Sequence, residues 1–409
     1  MTRPPPLDGI RVLDLSRILA GPWCTQNLAD LGADVIKIER PRVGDDTRAW
    51  GPPYLKDGNG QDTNESAYYL SANRNKRSVE ADMATPEGAA LIRELAAVSD
   101  ILVENFKVGG LAKYGLDYES LKQVNPRLIY CSVTGFGQDG PFAQRPGYDF
   151  MIQGMGGLMS ITGERDDLPG GGPQKAGVAV TDIVTGMYAT VAVLAALQER
   201  HRSGQGQHLD IALLDSHVAL LANQNSNYFN SGVAPTRAGN AHQNVVPYQV
   251  FAASDGHLIV ATGNESQYRA YCRAIGVPEL GDDPRFATNR LRVTNRVELI
   301  GILTDIMREG RRDDWIAKLE AVGVPCGPIN DIAQAFAHPQ AQARQLRRDM
   351  PHPAGGMAPV TASPLRFSDS PVVYRRAPPM LGEHTEEVLR DVLGKSAQAI
   401  AAFKGKAQA

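Results

Sequence analysis

The chain has 409 residues, of which 43% are hydrophobic and 21% charged, and its formal net charge is -3. These are the values of an ordinary globular protein long enough for two domains, and they give no basic footprint for nucleic acid. The four cysteines, Cys24, Cys131, Cys272 and Cys326, are scattered without a CxxC pair, which argues against a disulfide framework or a zinc ribbon and fits buried thiols in a reducing compartment. The opening Met-Thr-Arg-Pro-Pro-Pro lacks the apolar core of a signal peptide, and the apolar run at 183–197 is interrupted by Thr185, Gly186, Tyr188 and Thr190 and reads as too short to span a membrane. A cytoplasmic protein with no membrane or nucleic-acid partner is expected.

In chain order, residues 10–15 predict a strand, and Gly21-Pro22 opens a helix to about residue 31. Gly32 ends it and residues 34–39 form the next strand, giving a βαβ unit. Glu39 is the acid a dinucleotide fold carries there, but the loop Ser16-Arg-Ile-Leu-Ala-Gly-Pro22 is not GxGxxG, which argues against NAD or FAD. Residues 41–70 read as a long surface loop. Asn73-Arg-Asn-Lys-Arg77 is a basic and amide cluster, either solvated surface or a polyphosphate contact. Thr85-Pro86 caps a helix to about residue 98. A strand at 100–104 delivers Asn105-Phe106 to its carboxyl end, where open parallel sheets bind ligands. A short helix at 116–125 and a strand at 128–133 follow, then a glycine-rich turn at 134–149.

The stretch Lys175-Ala-Gly-Val-Ala-Val-Thr-Asp-Ile-Val-Thr-Gly-Met187 organises the rest. Residues 178–180 read as the end of a buried strand and 183–197 as a buried helix, with Asp182, the only acid of the run, between them. A carboxylate there faces the N–H groups of the first helical turn. Either Thr181 or Asp182 caps the helix, or Asp182 does chemistry. As a nucleophile it needs no helper base, because an ordinary carboxylate is ionised at neutral pH. It can attack a thioester to give a mixed anhydride if N–H groups of the glycine run 154–157 or of the helix start hold the oxyanion.

A strand at 208–214, a helix from 215 to about 229, hairpin strands around 254–261 and a charged, mostly helical stretch at 267–322 follow. A helix at 331–336, an extended segment at 367–369 and a last helix from 382 complete the chain. The change of texture gives a large domain at 1–225, a small one at 226–335, and a segment at 336–409 that returns to the large domain. His208, Asp210, Asp215 and His217 are the densest His/Asp group but lack a third clear ligand, so no metal is expected. HExxH, P-loop and GxSxG motifs are absent, and Cys24 has no evident histidine partner.

Taken together, the sequence resembles the family III CoA-transferases, the class of formyl-CoA and carnitine CoA-transferases. The likeness runs from residue 7 to about 390. It is carried by Leu13-Asp-Leu-Ser-Arg-Ile-Leu-Ala-Gly-Pro22, Gly32-Ala-Asp-Val-Ile-Lys-Ile-Glu-Arg-Pro41, Asn75-Lys-Arg-Ser78, Val103-Glu-Asn-Phe106, Gly147-Tyr-Asp149, Val180-Thr-Asp-Ile-Val-Thr-Gly186 and Arg237-Ala-Gly-Asn240. Trp50-Gly-Pro-Pro, Ile161-Thr-Gly, Val246-Pro-Tyr-Gln-Val-Phe251 and Gly327-Pro-Ile-Asn330 resemble most the succinyl-CoA:glutarate CoA-transferase type.

The resemblance implies an α/β fold: a large Rossmann-like domain with a parallel sheet plus a smaller domain, in a ring-shaped subunit that interlocks with a second to form a homodimer. It implies no permanently bound cofactor, CoA thioesters as substrates, and Asp182 as a nucleophile that passes through an aspartyl mixed anhydride and an aspartyl-CoA thioester. The family's CoA-binding positions fall on Ile18 through its backbone, Arg40, Lys76, Asn105, Phe106, Lys113 and Arg145. Lys113 stands where formyl-CoA transferase has arginine, which keeps charge and loses the bidentate fork. The four-glycine lid of that enzyme is replaced by Ala241-His-Gln-Asn-Val-Val-Pro247, so its lid mechanics are not carried over.

The expected reaction moves CoA from succinyl-CoA or a similar acyl-CoA to a short dicarboxylic acid, glutarate first. The carboxylate that is not activated needs a cationic partner, for which Arg17, Arg237 and His242 are candidates. Two other readings stay open. An α-methylacyl-CoA racemase needs a base on each side of one carbon, and the racemases place histidine where this chain has Tyr148, whose ordinary pKa of about 10 suits that task poorly. A non-catalytic CoA-binding protein would keep the βαβ unit without needing Asp182.

Overall fold

A computed structural model describes residues 3–408. The chain divides into two compact units: Met1–Gly157, Ala176–Ser226 and Gln342–Ala409 form the first, and Leu158–Lys175 with Asn227–Ala341 the second. Residues 158–175, read from the sequence as part of the large domain, group with the second unit, and the chain returns to the first at residue 342.

The first unit is built on six parallel strands: β1 (Arg11–Asp14), β2 (Asp34–Glu39), β3 (Lys76–Glu80), β4 (Ile101–Glu104), β5 (Ile129–Thr134) and β6 (His208–Ala212). Their order is β3-β2-β1-β4-β5-β6, the doubly wound order with a switch point between β1 and β4. Alternate residues of each strand feed opposite cores. Val12, Val35, Val103 and Cys131 pack beneath helices α1 (Ala20–Asp30) and α5 (Val180–Ser203). Leu13, Ile36, Leu102 and Tyr130 pack beneath α2 (Pro86–Ala97) and α3 (Tyr118–Val124). Thr85 caps α2 by accepting the Gly88 N–H, with Pro86 in the first turn.

Several expectations are corrected. Residues 41–70 are not a plain loop: Tyr54–Lys56 and Asp62–Ser66 pair as an antiparallel ribbon, followed by a helix at Ala67–Ser71. Residues 178–180 are not a strand, since Val178 is 60% exposed in a bend and the chain enters α5 at Val180. The helix expected from 215 to 229 is two, α6 (Leu213–Leu220) and Asn223–Ser231, broken at Ala222, whose φ is 42°. The apolar run lies in α5, a helix of 24 residues that is, by length and composition only, enough to cross a membrane. Its Ala189, Val193, Ala196 and Leu197 are nonetheless buried in the core of this unit.

The second unit has a three-stranded antiparallel sheet, β7 (Tyr248–Ala253), β8 (Gly256–Ala261) and β9 (Cys326–Pro328), in the order β9-β8-β7. Phe251, Leu258 and Val260 of this sheet share a core with Leu299, Leu303 and Trp315 of the charged helices.

Candidate functional site

At the switch point the loops after β1 and β4 are tied to each other. The Arg17 N–H donates to Asn105 Oδ1 at 2.9 Å, and Asn105 Nδ2 donates to the Arg17 carbonyl at 2.7 Å. The next residue, Ile18, has φ 71°. A β-branched residue in the left-handed region is strained, and such strain collects where a ligand meets the backbone. The Ile18 N–H is held by Asp45 Oδ1 at 3.2 Å, and Asp45 is itself paired with buried Lys37 at 2.9 Å. The Phe106 N–H donates to Glu104 Oε2 at 2.7 Å, which sets the turn that presents its ring. The Arg17 guanidinium lies 5.2 Å over that ring and pairs with Asp46 at 2.8 Å.

This junction opens into a cavity of about 540 Å3 lined by Arg17, Ile18, Asn105, Phe106, Arg145 and Asp182 among others. Arg17 and Phe106 also line an adjoining cavity of about 160 Å3 that contains Arg40 and Met83. Met83 continues into a third, of about 670 Å3, with Arg93, Lys113 and Tyr114. The sequence candidates Arg17, Ile18, Arg40, Asn105, Phe106, Lys113, Arg145 and Asp182 thus fall along one succession of cavities, of which the middle one sets Glu39, Asp45, Asp46 and Asp82 beside Arg17, Lys37 and Arg40. Arg145 stacks 4.5 Å from the centre of Phe142 and 5.7 Å from that of Phe136, and among the described residues it has no acidic partner.

Lys76 departs from this line. It sits on β3 with its side chain fully buried, donates to Asn73 Oδ1 at 2.9 Å and the Pro22 carbonyl at 3.0 Å, and pairs with Asp14 at 3.1 Å. Burial, only partly offset by Asp14, lowers its pKa to about 8. All its donors are spent inside the fold, so it is a strut beneath the site and not a phosphate contact.

Asp182 lies in the first turn of α5 and is 8% exposed. It does not cap the helix. The Thr181 N–H goes to Asp149 Oδ1 at 2.8 Å, so a carboxylate from α4 (Asp149–Met155) serves the helix start. Thr181 is held from the other side, its Oγ1 2.7 Å from Nδ1 of buried His217. Among the described residues the Asp182 carboxylate has no hydrogen-bond or ion-pair partner. Burial, then the nearby charge of Asp149, raises its pKa to about 7. The expectation of a fully ionised carboxylate is therefore corrected: at neutral pH protonated and ionised forms coexist. The glycine run 154–157 is not a set of free oxyanion donors either. Gly156 donates to Ile152 O at 2.7 Å and packs so tightly on the His217 ring that a Cβ there would lie 2.4 Å from its Cδ2.

Two contributors were not singled out in the sequence. Asp149 enters the sequence reading only within the Gly147-Tyr-Asp149 motif, and its signal is an acid directly after the tight Gly147 turn. Tyr68 has its pKa raised to about 12 by burial and by the charges of Asp182, Asp149 and Asp45; nothing in its short local helix marks it. His208 is hydrogen-bonded to Ser132 Oγ of β5 at 2.9 Å and stacked on Tyr118 of α3, while Asp210 accepts the Gln138 N–H at 2.9 Å and so holds the turn after β5.

Arg237 and His242 belong to the second unit. Arg237 donates to the Ser160 carbonyl at 3.2 Å and pairs with Asp166. His242 Nδ1 accepts the Asn244 N–H at 3.0 Å, and its carbonyl accepts from Arg296 at 2.8 Å. Both fasten loops of that unit.

A doubly wound sheet whose switch point opens into a long cleft reaching a buried carboxylate is the layout of an enzyme for an elongated substrate. Residues 7–385 match the family model of CoA-transferase family III, and the chain belongs to that family. It is 53% identical over 390 residues to the succinate–glutarate CoA-transferase of Agrobacterium fabrum, covering 95% of this chain and 96% of that one. It is 44% identical over 395 residues to the succinyl-CoA:glutarate CoA-transferase of Homo sapiens, covering 97% and 88%. The crystal structure of a CaiB/BaiF family protein from Brucella suis superposes with a TM-score of 0.83 at 50% identity, covering 95% of this chain and all of that one. The chain is accordingly an enzyme, a CoA-transferase.

Proposed function

We propose that this enzyme moves CoA from succinyl-CoA, or a similar acyl-CoA, to a short dicarboxylic acid of the glutarate type, with Asp182 as nucleophile. The observation that carries the reading is the Asp182 carboxylate itself: buried, unpaired, lining the cleft, and relieved of helix capping by Asp149. Its ionised form attacks the thioester carbonyl and the CoA thiolate leaves, giving the aspartyl mixed anhydride. The thiolate then attacks the Asp182 carbonyl and releases the first acid, leaving aspartyl-CoA. The acceptor carboxylate attacks that thioester in turn, and the thiolate takes the new acyl group and frees Asp182. One thioester replaces another, so no ATP is required. A poorly solvated carboxylate suits the attack.

Arg40, Lys113 and Arg145 suit the CoA phosphates as charge-assisted donors, with the Ile18 backbone, Asn105 and Phe106 along the pantetheine arm. Arg17, in the cavity with Asp182, suits the free carboxylate of the acid; Arg237 and His242 remain second candidates. The named activities of the Agrobacterium and human relatives support the substrate pair. The reading includes a cytoplasmic homodimer: Met187, Tyr188 and Val191 leave a strip of α5 that is 42%, 46% and 59% exposed, an apolar surface suited to a second subunit. A racemase is disfavoured because Tyr148 lines the cleft where a second base would be needed.

The test is a panel of acids incubated with enzyme and succinyl-CoA, with thioester products read by chromatography and mass. Glutarate and its C5 analogues should be the best acceptors, with overlap, since one methylene is worth only about 1–3 kcal/mol. Oxalate, carnitine or an aromatic acid as preferred acceptor, with dicarboxylates inactive, would overturn the substrate class. Solvent deuterium entering the α-position of a 2-methylacyl-CoA without an acceptor would favour the racemase.

A further inference from the structure

The first unit holds another cleft, of about 460 Å3, that shares no lining residue with the three cavities above. It lies between the ribbon strand Arg347–Pro351 and the segment 374–384. Three arginines line it, Arg348, Arg375 and Arg376, and their charges are incompletely answered. Arg348 lies 5.2 Å over the ring of Tyr374, and its Nε is buried without a hydrogen-bond partner among the described residues. Arg375 spends one amino group on the carbonyls of Gly32 and Ala33, and has no carboxylate within pairing distance among the described residues. Arg376 reaches Glu387 only at 3.6 Å, and Arg77 holds the same carboxylate more closely, at 3.1 Å.

The acids of the cleft offset these charges only in part. Asp349 is held by Arg347 at 2.9 Å, outside the lining set. Glu383 accepts the Met380 N–H at 2.9 Å and faces His384 at 3.7 Å. His384 is turned toward its neutral form by burial. A buried guanidinium nitrogen without a partner is costly, and stacking on Tyr374 fixes the plane in which that fork is presented. Met350, Pro351 and Pro353 add an apolar wall. Planar, oriented guanidinium groups beside an apolar wall match a phosphate group carried on a small organic body.

We propose that this cleft is a binding site for a small phosphate-bearing molecule, separate from the CoA cleft. Calorimetry with the full chain and saturating CoA, which fills the first cleft, tests it, with inorganic phosphate and glycerol 3-phosphate as separate probes. At least one probe should bind one site per chain. Arg348→Gln and Arg376→Gln, each checked for an unchanged circular dichroism spectrum, should each weaken binding about tenfold or more. Tighter glycerol 3-phosphate marks an ester as the ligand, and tighter inorganic phosphate marks the free ion. No heat from either probe, heat abolished by CoA, or affinity unchanged from the native protein in both variants would overturn the proposal. Because the readout is binding and not transfer, it stands or falls separately from the role of Asp182.

Discussion

Replacing Asp182 by asparagine removes the charge and keeps the shape, and its effect on stability follows from the site. Burial and the charge of Asp149 raise the Asp182 pKa from an ordinary 3.8 to about 7. Because the native state holds this proton more tightly than the unfolded chain, native stability falls as pH rises from about 4 to about 7 and then levels off. The interval corresponds to roughly 4 kcal/mol, since one pKa unit is about 1.4 kcal/mol. The Asp182→Asn variant would be immune to that loss, although its buried amide, without a partner, returns about 1–2 kcal/mol of it. The variant should therefore be about 2 kcal/mol more stable than the native protein at pH 8, and near pH 4 that advantage should be gone. Equilibrium urea unfolding at both pH values and equal protein concentration measures this. A variant less stable than the native protein at pH 8 would refute the claim that Asp182 is held against its own charge, and with it the reading of a site strained for chemistry.

Three further outcomes follow from the same geometry. Only ionised Asp182 attacks, so kcat/KM for acyl-CoA should fall about tenfold per pH unit below about 7 and be level above it; a flat profile from pH 5 to 8 contradicts the assignment. Arg40→Ala and Arg145→Ala should each weaken CoA binding by about tenfold at low salt, and less at high salt, as charge-assisted contacts do; unchanged affinity in both removes them from the CoA site. Lys76→Met leaves Asp14 buried without its cation and should cost about 3–5 kcal/mol in urea unfolding; a stably folded variant that has lost only CoA affinity would return Lys76 to the cleft.

The doubly wound core was legible because its strands are apolar on both faces and its helices carry ordinary boundary signals, such as Thr85-Pro86. Residues 34–39 coincide with β2 as read. What escaped notice was structure with polar interiors. β3 runs Lys-Arg-Ser-Val-Glu, and its pattern shows no strand because its polar side chains answer acids elsewhere: Lys76 to Asp14, Arg77 to Asp34, Ser78 to Glu39. Those pairings join residues tens of positions apart, which no local period can report, and the same cluster consequently read as a phosphate contact. Asp182 stood out as the lone acid of an apolar run. Its raised pKa did not, because burial and the approach of Asp149 exist only once α4 and α5 have packed.

The most direct measurement is to trap the intermediate. Intact enzyme is incubated with succinyl-CoA and then with hydroxylamine or borohydride, digested, and mapped by mass spectrometry. Modification at Asp182, absent in Asp182→Ala although that variant still binds CoA thioester, is the predicted result. Measurable CoA transfer by Asp182→Ala, or a covalent adduct on another residue, would contradict the account.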